Sequence, residues 1–115
     1  MKAVVQDRYG GPEHLRLTNL PIPEPAVGEI RVRVLACAVN LSDWEHLTGS
    51  PFYARMAGGL LRPKRPVLGS DIVGLIDKTG PGVTGFATGA RVMGDFVVTR
   101  GGFAEYACVP AAHAV

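Results

Sequence analysis

Glu29-Ile30-Arg31-Val32-Arg33-Val34-Leu35-Ala36-Cys37-Ala38-Val39 runs directly into Asn40-Leu41-Ser42-Asp43, and the change of rhythm between the two decides the fold. Ile30, Val32 and Val34 alternate with Arg31 and Arg33, the period-two pattern of a strand with one face buried. The alternation then stops. Ser42 or Asp43 can cap a short helix built on Trp44-Glu45-His46-Leu47, which Thr48-Gly49-Ser50-Pro51 brings to an end.

Upstream, Lys2 to Asp7 reads as a strand, Tyr9-Gly10-Gly11-Pro12 as a turn, and Leu15 to Thr18 as a second, half-buried strand. Leu20-Pro21-Ile22-Pro23-Glu24-Pro25 has to be an extended connector, because its prolines fix φ and lack an N–H. Downstream, Pro51 to Arg65 reads as a loop with one helical turn around Ala54 to Ala57. Strands are expected at Ile72 to Ile76, Arg91 to Met93, Phe96 to Val98 and Phe103 to Val109, with a turn of breakers at Gly80 to Gly85. Many short strands and one small helix argue for an all-β barrel or sandwich.

The 115 residues suffice for one domain with its own core. With 47% hydrophobic and 19% charged residues, the balance is that of a globular chain rather than a disordered one. The net charge is +2, and the basic residues gather only in Arg62-Pro63-Lys64-Arg65, which speaks against a nucleic-acid partner. No apolar run approaches the roughly 18 residues of a membrane span, and the run after Met1 is too short for a signal peptide. A cytoplasmic protein without a membrane partner is expected. Cys37 and Cys108 lie far apart with no metal-type spacing, and two reduced, half-buried thiols are the expectation.

Taken in order, the punctuated segments form a recognisable series: Met1-Lys2-Ala3-Val4, Tyr9-Gly10-Gly11-Pro12-Glu13, Ala38-Val39-Asn40-Leu41-Ser42-Asp43, Leu68-Gly69-Ser70-Asp71-Ile72-Val73-Gly74, Gly80-Pro81-Gly82-Val83-Thr84-Gly85-Phe86, Gly89-Ala90-Arg91-Val92 and Gly101-Gly102-Phe103-Ala104-Glu105-Tyr106. The series resembles the opening of zinc-independent quinone oxidoreductases of the medium-chain dehydrogenase/reductase superfamily. The resemblance implies a mainly β, GroES-like catalytic domain over residues 1–115, a partly open β-barrel with one or two short helices. Two features depart from the family: Ala90 stands where Asp is usual, and the loop from Phe52 to Leu61 is longer than in the simplest quinone reductases.

Zinc alcohol dehydrogenases carry Cys where this chain has Asn40, and Gly-His-Glu where it has Gly69-Ser70-Asp71. The resemblance therefore implies a site without zinc, whose usual ligands are Cys, His and carboxylates. Two cysteines also cannot form a four-cysteine zinc lobe. Cys37 is expected to be a packed thiol, and His14, His46 and His113 to be surface or capping residues.

Without a Lewis acid, the oxyanion formed on hydride addition relies on hydrogen-bond donors. A quinone or an enone suits that arrangement, because its new charge is delocalised. The candidate catalytic residues are Asn40, Ser42 and Tyr53, and the candidate cofactor contacts are Asn40 and Asp43. Ser42 serves equally as a helix cap, Asp43 as a charge complementing the helix dipole, and Trp44 and Tyr53 as packing.

The implied cofactor is NADPH or NADH. A dinucleotide site needs a strand, a Gly-rich turn and a helix, whereas the glycines here cluster between strands, as in Gly80-Pro81-Gly82. In the family a Rossmann cofactor domain follows, so the chain alone is expected to be inactive, with an apolar face that supports a possible homodimer. The alternatives are a non-catalytic GroES-like association module and a zinc alcohol dehydrogenase with displaced ligands.

Overall fold

The computed structural model describes residues 1–50, 59, 63 and 66–115. β1 (Lys2–Gln6) and β2 (Leu15–Asn19) pair antiparallel across a 3-10 turn at Pro12–His14. β3 (Glu29–Ala38), β4 (Asp71–Thr79), β5 (Arg91–Asp95) and β6 (Tyr106–Pro110) form an antiparallel sheet in the order β5-β4-β3-β6. Helix α1 (Leu41–Thr48) follows β3. The small sheet is joined to the rest by two bridges, Ala3 to Ala104 and Val5 to Val67. Two linked sheets and one short helix match a GroES-like fold, and no closed barrel forms among the described residues.

The core follows from the alternation. Ile30 and Val32 of β3 meet Ile72 and Ile76 of β4, Val92 of β5 and Ala107 and Val109 of β6, with Phe96 completing the cluster. Gly74 is required by close approach: a Cβ there would lie 2.3 Å from the carbonyl oxygen of Arg33. The register between β3 and β4 shifts twice, at Arg31/Val32 and at Val34/Ala36, and closes by pairing Ala38 with Asp71. That last pair brings Asn40 beside Ser70 and Asp71.

Two expectations change. Phe96 to Val98 is a turn rather than a strand: Phe96 is buried, Val97 and Val98 are exposed, and the N–H of Arg100 closes on the Phe96 carbonyl at 2.7 Å. The last strand begins at Tyr106, because residues 103 to 105 are drawn to β1, with the Val4 N–H donating to the Phe103 carbonyl at 2.9 Å. The expected helical turn at Ala54 to Ala57 lies outside the described residues, as do Arg62, Lys64 and Arg65 of the basic cluster.

Candidate functional site

The site is built where β3 ends and α1 begins. Asn40 is extended, with φ −134° and ψ −179°, and is the N-cap of α1; the sequence suggested Ser42 or Asp43 for that role. Asparagine caps as well as either, and Asn40 has Asp43 three positions on to complete a capping box. Its Oδ1 accepts from the Asp43 N–H at 3.1 Å, and Asp43 Oδ2 accepts from the Asn40 N–H at 3.0 Å. Gly49, at φ 68°, closes the other end as the sequence indicates.

Asp43 is 3% exposed, and its second oxygen accepts the Gly69 N–H at 3.1 Å. One carboxylate thus ties the cap to the loop before β4. From that loop comes Ser70, 0% exposed, followed by Asp71 at the start of β4. Asn40 Nδ2 donates to Ser70 Oγ at 3.2 Å and to Asp71 Oδ2 at 2.6 Å. The two segments singled out in the sequence therefore meet atom to atom. Which atoms meet, and the part played by Asp71, were not visible there.

Ser42 sits on the first turn of α1, half-buried, with Oγ 3.5 Å from His46 Nδ1. His46 is half-buried and engaged on both ring nitrogens. Its Nδ1 lies 2.7 Å from the Ser42 carbonyl, its Nε2 meets the guanidinium of the buried Arg100, and its own carbonyl accepts from Gln6 Nε2 at 3.1 Å. Trp44 stands half in solvent rather than packed in the core. Tyr53, the remaining candidate, lies outside the described residues.

Cys37 packs beneath this cluster, and Cβ atoms added at Gly69 and Gly102 would collide with its sulfur. Burial, reinforced by the Asp43 and Asp71 charges, pushes its thiol up to about 11. Both cysteines are free and half-buried, as expected. The groups around Asn40 are its own amide with its N–H groups turned inward, one hydroxyl, and the carboxylates of Asp43 and Asp71, the first already engaged by backbone N–H groups and the second by the amide, and this does not fit a zinc ion. Among the described residues no group of three or more His, Cys, Asp or Glu side chains is placed to hold a metal ion. Beside Asp71 opens a groove of about 480 Å³, walled by Ala36, Ala38, Ile72, Val73 and Met93.

The family model of the alcohol dehydrogenase GroES-like domain matches residues 26–115. The chain is 35% identical over 109 residues to the quinone oxidoreductase of Rattus norvegicus, covering 93% of this chain and 30% of that protein. It is 37% identical over 107 residues to the trans-enoyl reductase FMN2 of Fusarium mangiferae, covering 93% and 25%. The synaptic vesicle membrane protein VAT-1 homolog-like of Mus musculus is 34% identical over 111 residues, covering 96% and 24%. Among solved structures, the Escherichia coli quinone oxidoreductase complexed with NADPH superposes with a TM-score of 0.82 at 25% identity, over 100% of this chain and 32% of that one. The chain thus spans about a quarter to a third of the length of each of these proteins.

Proposed function

Because the chain belongs to the alcohol dehydrogenase GroES-like domain family, within the medium-chain dehydrogenase/reductase superfamily, we propose that it is the catalytic-domain portion of an NAD(P)H-dependent oxidoreductase. In this reading it reduces quinones or α,β-unsaturated carbonyls by hydride transfer, without zinc. The observation that carries the reading is the cluster at the end of β3, where an amide, a hydroxyl and a carboxylate hold one another. The quinone oxidoreductases and the enoyl reductase among its relatives support the same class of acceptor.

When bound, NAD(P)H supplies the hydride. Among the described residues no strand–glycine turn–helix unit is present for its phosphates, so the dinucleotide is held mainly by polypeptide outside these residues. This chain contributes the polar end of the site and the adjoining groove, whose mostly apolar walls suit a hydrophobic acceptor. Hydride delivered to the β-carbon of an enone or to a quinone would leave its charge spread over an enolate or phenolate, which water would protonate. A delocalised charge demands less stabilisation than an alkoxide, in keeping with a site that lacks zinc donors. The isolated chain is inactive in this account.

The test is NADPH consumption by the protein translated through its native reading frame. Turnover with a quinone or an enone is expected. Failure with every member of both acceptor classes overturns the reading.

A further inference from the structure

The Asn40 amide is held at both of its ends. The Asp43 N–H can only donate, and it meets Oδ1 at 3.1 Å; the Asp71 carboxylate accepts, and it meets Nδ2 at 2.6 Å. Flipping the amide would set donor against donor and acceptor against acceptor, so its orientation is fixed by its partners. With Ser70 Oγ as a second acceptor at 3.2 Å, both amide hydrogens are engaged. Asn40 retains one lone pair on Oδ1. Both charged groups that contact it among the described residues, Asp43 and Asp71, are carboxylates. An oxyanion arriving there meets repulsion, whereas a hydroxyl or an N–H meets an acceptor.

We propose that Asp71 is the positioning residue of this site, and that it fixes Asn40 as a hydrogen-bond acceptor for a neutral donor group of the reduced dinucleotide. The inference rests on the oxidoreductase reading and deepens it. Quinones and simple enones carry acceptors only, so the donor has to be a ribose hydroxyl or the carboxamide NH2 of NAD(P)H. The charge developing on the substrate is then stabilised by donors other than Asn40, contrary to what the sequence suggested.

Two asparagines and one glutamine give this chain three side-chain amides, so each is separable by NMR. The Asn40 amide hydrogens are expected to exchange with water at least about tenfold more slowly than those of exposed Asn19, and Asp71→Ala to bring the two within about twofold. Equal exchange in the unsubstituted chain, or protection that survives Asp71→Ala, overturns the positioning role. Should Asp71→Ala not fold, Asn40→Asp combined with Asp71→Asn reverses the bond, and the amide introduced at position 71 is then the protected one; its rapid exchange overturns the role equally.

The same double substitution tests the direction of the bond to the cofactor. In the protein read through its native frame it retains NADPH turnover within about tenfold, the loss falling on KM for NADPH. Asn40→Asp alone, which sets two carboxylates together, loses far more. A fall in kcat of about a hundredfold in the double variant, the usual cost of removing an oxyanion donor, overturns the acceptor role. If the unsubstituted protein turns over no NADPH, it is the proposed function that falls, and the exchange measurement still decides the role of Asp71.

Discussion

Near the start of β3, Arg31 grips Asp77 of β4 with a two-pronged ion pair at 2.8 and 3.0 Å; just past its end, the Asn40 amide donates a hydrogen bond of 2.6 Å to Asp71. Both contacts fasten β3 to β4, but their surroundings differ. Arg31 also lies 5.7 Å from the Tyr106 ring centre and donates to the Pro23 carbonyl, pinning the proline connector onto the sheet. Its second carboxylate partner, Glu24, stands largely in water. At the Asn40 end, Asp43 and Ser70 are cut off from solvent. Water can replace a lost partner at the first end and not at the second. The Arg31 end therefore fastens the fold cheaply, while the Asn40 end holds its amide side chain in a single pose.

Breaking the buried end has the largest effect expected. Asp43→Ala strands the N–H groups of Asn40 and Gly69 and removes half of the capping box, so urea denaturation is expected to show a loss of about 3 kcal/mol. Breaking the open end with Arg31→Ala is expected to cost about 1 kcal/mol in the same measurement. If the two losses are equal, the contrast between the ends is wrong.

The cysteines sharpen the comparison, because Cys37 sits at the Asn40 end and Cys108 pairs with Arg31 across β3 and β6. Burial pushes both thiols up to about 11. At pH 8 each then carries roughly a hundredfold less thiolate than a cysteine of pKa near 9, and alkylation slows in proportion. Asp71→Asn is expected to speed alkylation of Cys37 a few-fold and leave Cys108 unchanged, since the Asp71 charge helps raise only the former. Arg31→Ala is expected to slow Cys108 by a similar factor, since Arg31 pulls that thiol down.

The smallest expected effect lies on the exposed side. Lys78 and then Arg31 hold the Glu24 carboxyl below its usual range. A carboxyl lowered in the folded state leaves the unfolded chain binding more protons as pH falls, so stability is present above the unfolded pKa and is lost on acidification through the folded one. Glu24→Gln is expected to flatten the acid limb of a stability-against-pH curve slightly; a steeper limb contradicts the pairing.

The features legible in the sequence were those encoded locally. The alternation of Ile30, Val32 and Val34 marked β3, and the stop at Gly49 marked the end of α1, because strand period and left-handed caps are written in neighbouring residues. The ordered motifs brought Asn40 and Ser70 into one argument. They could not show that Asp71 takes the shorter bond, since that contact spans 31 residues and depends on a register shifted at two places. Nor did any local signal join His46 to Arg100, 54 residues away. Phe96-Val97-Val98 misled because three apolar residues imitate a strand even when two of them face water.

The central claim is hydride delivery to a conjugated acceptor by a site without zinc, and deuterium tracing tests it most directly. The protein read through its native frame is supplied with NADPH deuterated at the transferable position and with an enone, and the product is analysed by NMR. The account predicts deuterium on the β-carbon of a saturated ketone. Deuterium on the carbinol carbon of an allylic alcohol would contradict it, because that product is carbonyl reduction of the kind a bound metal ion promotes.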